Sequence, residues 1–237
     1  FLYQWMEREP DKIFIGLTAT PWSKGLGKHW QQLLIGTTTQ ELIDREYLSP
    51  FRVFAPSAPD LEGLKVVRGE WEQEELGKRV SETKLIASIV DTWIERAERR
   101  PTILYGVNRA HAKLLQMQFL SKNVNAGYMD AHTEIDEREA LRVAFHSGDI
   151  AVMCNVGVLV AGVDWDVRCV VLACPTRSEI KFVQMVGRGL RTAVGKDYCL
   201  VLDHSDTHER LGFVTDIHHL SLDTGEKVKA SEREEPQ

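Results

Sequence analysis

Two arginines three residues apart, Arg188 and Arg191 in QMVGRGLRT (184–192), are the residues of this chain whose type and spacing point most directly to chemistry. On a helix, Gln184, Arg188 and Arg191 fall at i, i+4 and i+7 and project from one face. Two guanidiniums on one stripe repel each other, and no carboxylate is interleaved anywhere from 180 to 196. A multi-oxygen anion between them removes that repulsion, and phosphate suits the planar guanidinium fork. Gly187 and Gly189 each cost a helix roughly 1 kcal/mol relative to alanine. They call for a helix end, or for a close approach of backbone to something else.

Three earlier segments carry polar groups at strand ends. In GLTATP (16–21), Thr18 and Thr20 follow an apolar run, which puts two hydroxyls at the edge where ligands of open α/β sheets bind; a plain strand-ending turn is the alternative. In TILYGVNRAHAKLL (102–115), a strand passes into a helix at Asn108 and Arg109, so free helix N–H groups can hold a phosphate, or Asn108 is simply an N-cap. In the segment 155–179, Gly157, Gly162 and Asp164 lie between two strands. Glycines there let backbone approach a ligand, and the carboxylate can accept from a sugar hydroxyl; a local turn capped by Asp164 is the bland reading. Trp165, beside Asp164, is the tryptophan to test for base stacking. His204 and His208 form H-x-x-x-H, but with no third ligand at metal spacing a loop after the last strand is preferred to a metal site.

The elements that must position these residues alternate. Apolar, β-branched runs at 13–18, 51–55, 102–107, 125–129, 150–156, 169–174 and 197–203 read as strands. Helical periodicity covers roughly 81–99, 108–122, 134–147 and 178–190. That rhythm predicts an α/β fold with a largely parallel sheet. Ser81 and Thr133 read as helix N-caps and Gly148 as a helix C-cap. Residues 57–80, without sustained periodicity, read as a linker. The five strands and four helices of 81–205 then form one compact unit, 1–56 the tail of a preceding domain, and 206–237 a C-terminal extension.

Composition bounds the class. Hydrophobic residues make up 43% and charged residues 27% of the 237, the balance of a globular chain. No apolar run approaches the roughly 20 residues of a membrane helix, so no membrane partner is expected. The net charge of −6 means that any nucleic-acid contact must come from a local patch. Four cysteines, none spaced C-x-x-C, fall in or beside apolar runs, the pattern of buried thiols in a reducing, cytoplasmic setting.

Taken in order, these segments resemble the core of the superfamily-two helicases, closest to the DNA helicase and restriction-type ATPase branch. GLTATP resembles motif III, TILYGVNRAHA motif IV, VMCNVGVLVAGVDW motif V and QMVGRGLR motif VI. The resemblance implies a RecA-like parallel sheet flanked by helices at 81–205, preceded by the end of a first RecA-like domain. It also implies ATP with Mg2+ as cofactors, held mainly by that first domain. Arg188 and Arg191 match the arginines that reach the γ-phosphate, and Gln184 matches the polar residue beside them. Asp164 matches a residue near the ribose, and Gly162 and Gly187 are expected beside the nucleotide. Thr18, Thr20, Asn108, Arg109, Gly157 and Thr176 are expected to contact nucleic acid, DNA rather than RNA, or to couple it to ATP.

The chain departs from the family pattern in three ways. It contains no G-x-x-x-x-G-K-[ST] and no D-E-A-D or D-E-x-H tetrapeptide, and Val160-Ala161 stand where many relatives carry threonine and an acidic residue. It therefore reads as part of a larger enzyme, expected to hydrolyse nothing by itself. The rival reading is a non-catalytic RecA-like module that binds nucleic acid or protein.

Overall fold

The computed structural model describes residues 1–160 and 164–225. Contacts divide the chain into two compact units: Phe1–Thr37 together with the segment from His218 onward, and Thr38–Ile217.

The first unit holds α1 (Leu2–Arg8) and a short 3-10 turn, Leu26–Lys28. Residues 13–18, expected as a strand, are extended without being one, and Ile13 and Leu17 are 89% and 95% exposed. An apolar run becomes a strand only when another strand satisfies its N–H and C=O groups. Among the described residues none lies beside it.

The larger unit contains α2 (Thr39–Asp44), β1 (Phe51–Phe54), β2 (Val66–Val67), β3 (Glu70–Trp71), α3 (Gln73–Val80), α4 (Thr83–Arg96), β4 (Thr102–Gly106) and α5 (Arg109–Ser121). After these come β5 (Ala126–Met129), α6 (Ile135–Ser147), β6 (Val152–Asn155), β7 (Cys169–Ala173), α7 (Glu179–Gly189), β8 (Cys199–Asp203) and α8 (Thr207–Leu211). Six strands form a sheet in the order β1-β8-β7-β4-β6-β5, with every pairing parallel. Strands β4, β6, β7 and β8 are buried along their whole length, as continuous apolar runs covered on both faces should be. Tyr105 lies opposite Asn155 on one side and Leu172 on the other. The C-terminal ends of β4, β6 and β7 are therefore level.

The helices bury one face each. On α4, Leu85, Ile86, Ile89, Val90 and Trp93 are buried, and Trp93 donates from its indole nitrogen to Thr102 Oγ1 at 2.8 Å. Gly148 ends α6 in the left-handed conformation, φ 84°, as expected. The two expected N-caps are each displaced by one residue, to Glu82 and Glu134. Ser81 instead donates to Gly77 O and closes the end of α3, while Thr133 Oγ1 accepts from Asp130 N. Short hydroxyl side chains serve whichever backbone group is nearest.

The domain boundaries differ from the sequence expectation in three places. Strand β1, assigned to the tail of a preceding domain, pairs with β8 from Phe51↔Cys199 to Phe54↔Leu202, and the division between units falls at Thr37/Thr38. Residues 57–80 are not an open linker, because they fold into the β2–β3 ribbon and α3, which buries Leu76 and Val80. In the expected C-terminal extension, Thr207, Val214 and Ile217 are buried in the larger unit. Sequence periodicity registers which face is apolar but not which sheet receives it.

Candidate nucleotide and nucleic-acid site

The structure sorts the expected site residues into two groups at opposite ends of the larger sheet. Asn108, Arg109, Gly157 and Thr176 follow the C-terminal ends of β4, β6 and β7, the edge at which open α/β sheets bind ligands. Arg188, Arg191 and Asp164 gather where α7 ends, close to the starts of β7 and β8.

At the α7 end, Arg191 Nη1 lies 2.7 Å from Asp164 Oδ1, and the aspartate side chain is 93% exposed. Arg188, one turn earlier, is half-buried. Burial holds its pKa below the ordinary arginine value and the Arg191 charge pushes it the same way, while Tyr105 and Asp164 oppose. The predicted repulsion between the two guanidiniums is thus present in the folded chain, and Asp164 offsets part of it. A group with several anionic oxygens would remove the rest. Gln184 lies on the same helix, half exposed.

The two glycines of α7 have different causes. A Cβ at Gly189 would come within 2.7 Å of Val170 Cγ2, and closer still to Cys199 Sγ. The helix can lie this near the sheet only without a side chain there. A Cβ at Gly187 would meet nothing within 4 Å. No packing among the described residues requires that glycine.

Several residues that hold this end in place have no sequence signal. Lys196 Nζ donates to Val167 O at 2.8 Å and to Gly189 O and Arg191 O at 2.5 Å each. Ser49 N donates to Leu190 O at 2.6 Å and Ser49 Oγ to Arg191 O at 3.2 Å. Arg168 grips Asp166 with both nitrogens and donates to the carbonyls of Val194 and Gly195, each at 2.8 Å. Near the C-terminal ends of β4 and β6, Tyr105 likewise donates its hydroxyl to Leu159 O at 3.0 Å, and Asn155 joins Leu104 O of β4 to Leu159 N in the loop after β6. These groups bond mostly to main chain far away in sequence, so no spacing betrays them.

At the strand-end group, Gly157 has φ +70° and a Cβ there would meet nothing within 4 Å, so the turn, rather than a close approach, requires glycine. Asn108 is the N-cap of α5, accepting from His111 N at 2.9 Å, and its amide packs against Gly77 of α3. Arg109 pairs with Asp130 at 2.7 Å. The Tyr128 hydroxyl, followed by backbone His132 and Arg109, holds the Asp130 carboxyl down at about 2. Thr176 is fully buried and hydrogen-bonded to Glu70, whose other oxygen accepts from Arg177 N at 2.9 Å. Its role here is to clamp the β2–β3 ribbon onto the end of β7, so a direct ligand contact by its side chain is not what the geometry gives.

Four further expectations concern residues outside these two groups. Gly162 lies outside the described residues. Thr18 and Thr20 belong to the smaller unit, where Thr20 N donates to Thr18 Oγ1 at 3.1 Å. Trp165 is buried against Phe145, ring centroids 5.0 Å apart, so it packs on α6 and presents no face to a base. An indole next to an exposed loop carboxylate carries no sequence mark of which way it turns. His204 bonds Ser57 Oγ and His208 bonds Asp203 Oδ2, each at 2.7 Å, so the two imidazoles serve separate partners. All four cysteines are free and buried.

A parallel sheet flanked by helices, with a paired-arginine helix leading into its last strand, defines a RecA-like domain of the helicase type. Comparison with known proteins places it further. Residues 83–193 match the model of the helicase conserved C-terminal domain, so this part of the chain is similar to that family. Over 217 residues it is 31% identical to the Schizosaccharomyces pombe protein named "Putative mitochondrial ATP-dependent helicase irc3", covering 89% of this chain and 36% of that one. A "51.5 kDa protein" of a Lactococcus phage is 26% identical over 209 residues, covering 86% of this chain and 46% of the phage protein. Among solved structures, a fragment of a "putative HsdR subunit of a type I restriction enzyme" from Vibrio vulnificus YJ016 shares the fold. Its TM-score is 0.61 at 19% identity, covering 86% of this chain and 42% of that chain. The chain spans less than half the length of these curated relatives.

Proposed function

We propose that this chain is the C-terminal part of an ATP-dependent helicase or translocase acting on nucleic acid, DNA rather than RNA. In this reading Arg188 and Arg191 serve ATP whose Mg2+ and triphosphate are held mainly by a first RecA-like domain of the same protein. The observation that carries it is the pair itself: two guanidiniums on one face of α7, one partly desolvated and repelled by the other, beside Gly187, where a Cβ would meet nothing within 4 Å among the described residues.

The residues fit a nucleotide. Guanidiniums bind phosphate oxygens by paired N–H donors, and Asp164 can exchange Arg191 for a ribose hydroxyl. Among the described residues there is no group of three or more His, Cys, Asp or Glu side chains placed to hold a metal ion. In this reading the first RecA-like domain holds the metal. ATP would supply the free energy of phosphoryl transfer. The arginines stabilise charge that develops on the transferred group, and such a finger is typically worth about 10³ to 10⁵ in rate. Asn108, Arg109 and the Gly157 turn, at the other end of the sheet, would meet the phosphate backbone in this reading. Contacts of that kind are sequence-tolerant and salt-sensitive. The buried free thiols suit a reducing intracellular compartment.

The test uses the longer protein that carries both RecA-like domains. Arg188→Ala and Arg191→Ala should each reduce nucleic-acid-stimulated ATPase by about 10³, with ATP binding weakened less. The isolated 237-residue chain should show no turnover. Normal turnover in both variants would sink the role given to the arginines; a Walker A lysine and an acidic magnesium-binding box missing from the preceding domain would favour the rival class of non-catalytic RecA-like modules.

A further inference from the structure

Lys196 stands outside every motif, yet its surroundings are built for it. An ammonium group has three N–H donors and no acceptor. Here three main-chain carbonyls receive them: Val167, Gly189 and Arg191. Gly189 and Arg191 lie at the C-terminal end of α7, where unsatisfied carbonyls concentrate negative charge and favour a cation. Val167 lies three residues beyond Asp164, in the segment that enters β7. The same ammonium therefore ties together the two stretches of chain that carry Asp164 and Arg191.

We propose that Lys196 is a positioning residue for the arginine pair: by joining the carbonyls of Val167, Gly189 and Arg191 it sets the 2.7 Å meeting of Arg191 with Asp164 and the aim of the Arg191 guanidinium. It touches no reacting atom. Two neighbours complete the clamp. Ser49 donates to Leu190 O and Arg191 O from the segment just before β1, and Arg168 fixes the carbonyls of Val194 and Gly195 within the turn before Lys196. Arginine is no substitute for Lys196, because a planar fork cannot direct three hydrogens at three carbonyls converging on one point.

This inference rests on the nucleotide reading for its functional consequence but not for its geometry, and the two are tested apart. In the 237-residue chain, the Arg191 side-chain Nη–H resonances, recorded at low temperature, should be displaced from their free-arginine position by the Nη1–Asp164 pair. Lys196→Met, of similar volume and without donors, should return them to that position while circular dichroism stays unchanged. In the longer enzyme, Lys196→Met should lower kcat by about a hundredfold, as expected for misplacement on the scale of an ångström, with KM for ATP within about threefold. Lys196→Arg should not restore it. Adding Lys196→Met to Arg191→Ala should cost nothing further, because a positioning residue has nothing left to position.

Retention of the displaced Arg191 resonances in Lys196→Met, or an additive loss in the double variant, overturns the proposal. If Arg191→Ala itself turns over normally, the nucleotide reading fails, and the resonances of Lys196→Met still judge the clamp. Should Lys196→Met not fold, Ser49→Ala is read by the same two measurements. It removes only the hydroxyl bond to Arg191 O, so a smaller displacement and a smaller kcat loss are expected, and no change in either overturns the proposal.

Discussion

Gly189→Ala places a methyl group where α7 meets the sheet, within 2.7 Å of Val170 Cγ2 and nearer still to Cys199 Sγ. Both neighbours are buried in strands, and Val170 is β-branched with little rotamer freedom, so the helix must move or the strands must yield. Inserting a methylene into a packed core costs typically about 1–3 kcal/mol, and alanine's better helix propensity returns about 1 kcal/mol. A net loss of up to about 2 kcal/mol lowers Tm by up to roughly 8 °C in a domain of this size. Gly187→Ala, two residues earlier on the same helix, meets nothing within 4 Å. It should collect the propensity gain alone, up to about 1 kcal/mol, and raise Tm by roughly 2–4 °C. Thermal unfolding of the two variants followed by far-ultraviolet circular dichroism measures the difference. Equal effects of the same sign would refute the separate causes given to the two glycines. A functional arm sharpens the test. If Gly187 faces the nucleotide, Gly187→Ala loses ATPase in the longer protein even as the fold gains stability.

Stability should fall on mild acidification. His111 and His204 are buried, each with an Nε2 that has no partner among the described residues, and burial pushes both pKa values down to about 4. The unfolded chain takes up protons near pH 6.5 and the folded chain only near 4. The stabilisation is therefore complete above about pH 6.5 and lost as pH falls toward 4, at about 1.4 kcal/mol per pH unit for each histidine. Urea midpoints measured from pH 7.5 to 5 should decline, and a flat profile would contradict the burial of both rings. Trp165→Ala should destabilise by about 3–5 kcal/mol, the usual cost of truncating a buried aromatic. Single-strand affinity measured well below the melting temperature should be unchanged; a selective loss of affinity would restore the stacking role that its packing on Phe145 argues against.

The strands and helices of the sheet were legible because burial on both faces leaves continuous apolar runs, and burial on one helical face leaves a 3.6-residue stripe. The sheet's sixth member was readable as a strand but not as a partner of β8, since pairing is a relation between distant segments. The arginine pair was legible by spacing alone. Its supports were not: Lys196, Ser49 and Arg168 act on main-chain carbonyls, which every residue possesses, so nothing in the residue types marks the contact. The run at 13–18 misled for the converse reason. Its composition is that of a strand, but composition does not supply a neighbour.

The contact at Gly189 also bears on how such a machine could move. A helix seated on β7 and β8 with no room for a single methyl group has no room to slide or roll on them either. Any stroke that brings Arg188 and Arg191 toward a phosphate must therefore carry sheet and helix together as one solid lever, swung from outside, with no slack between the arm and its tip.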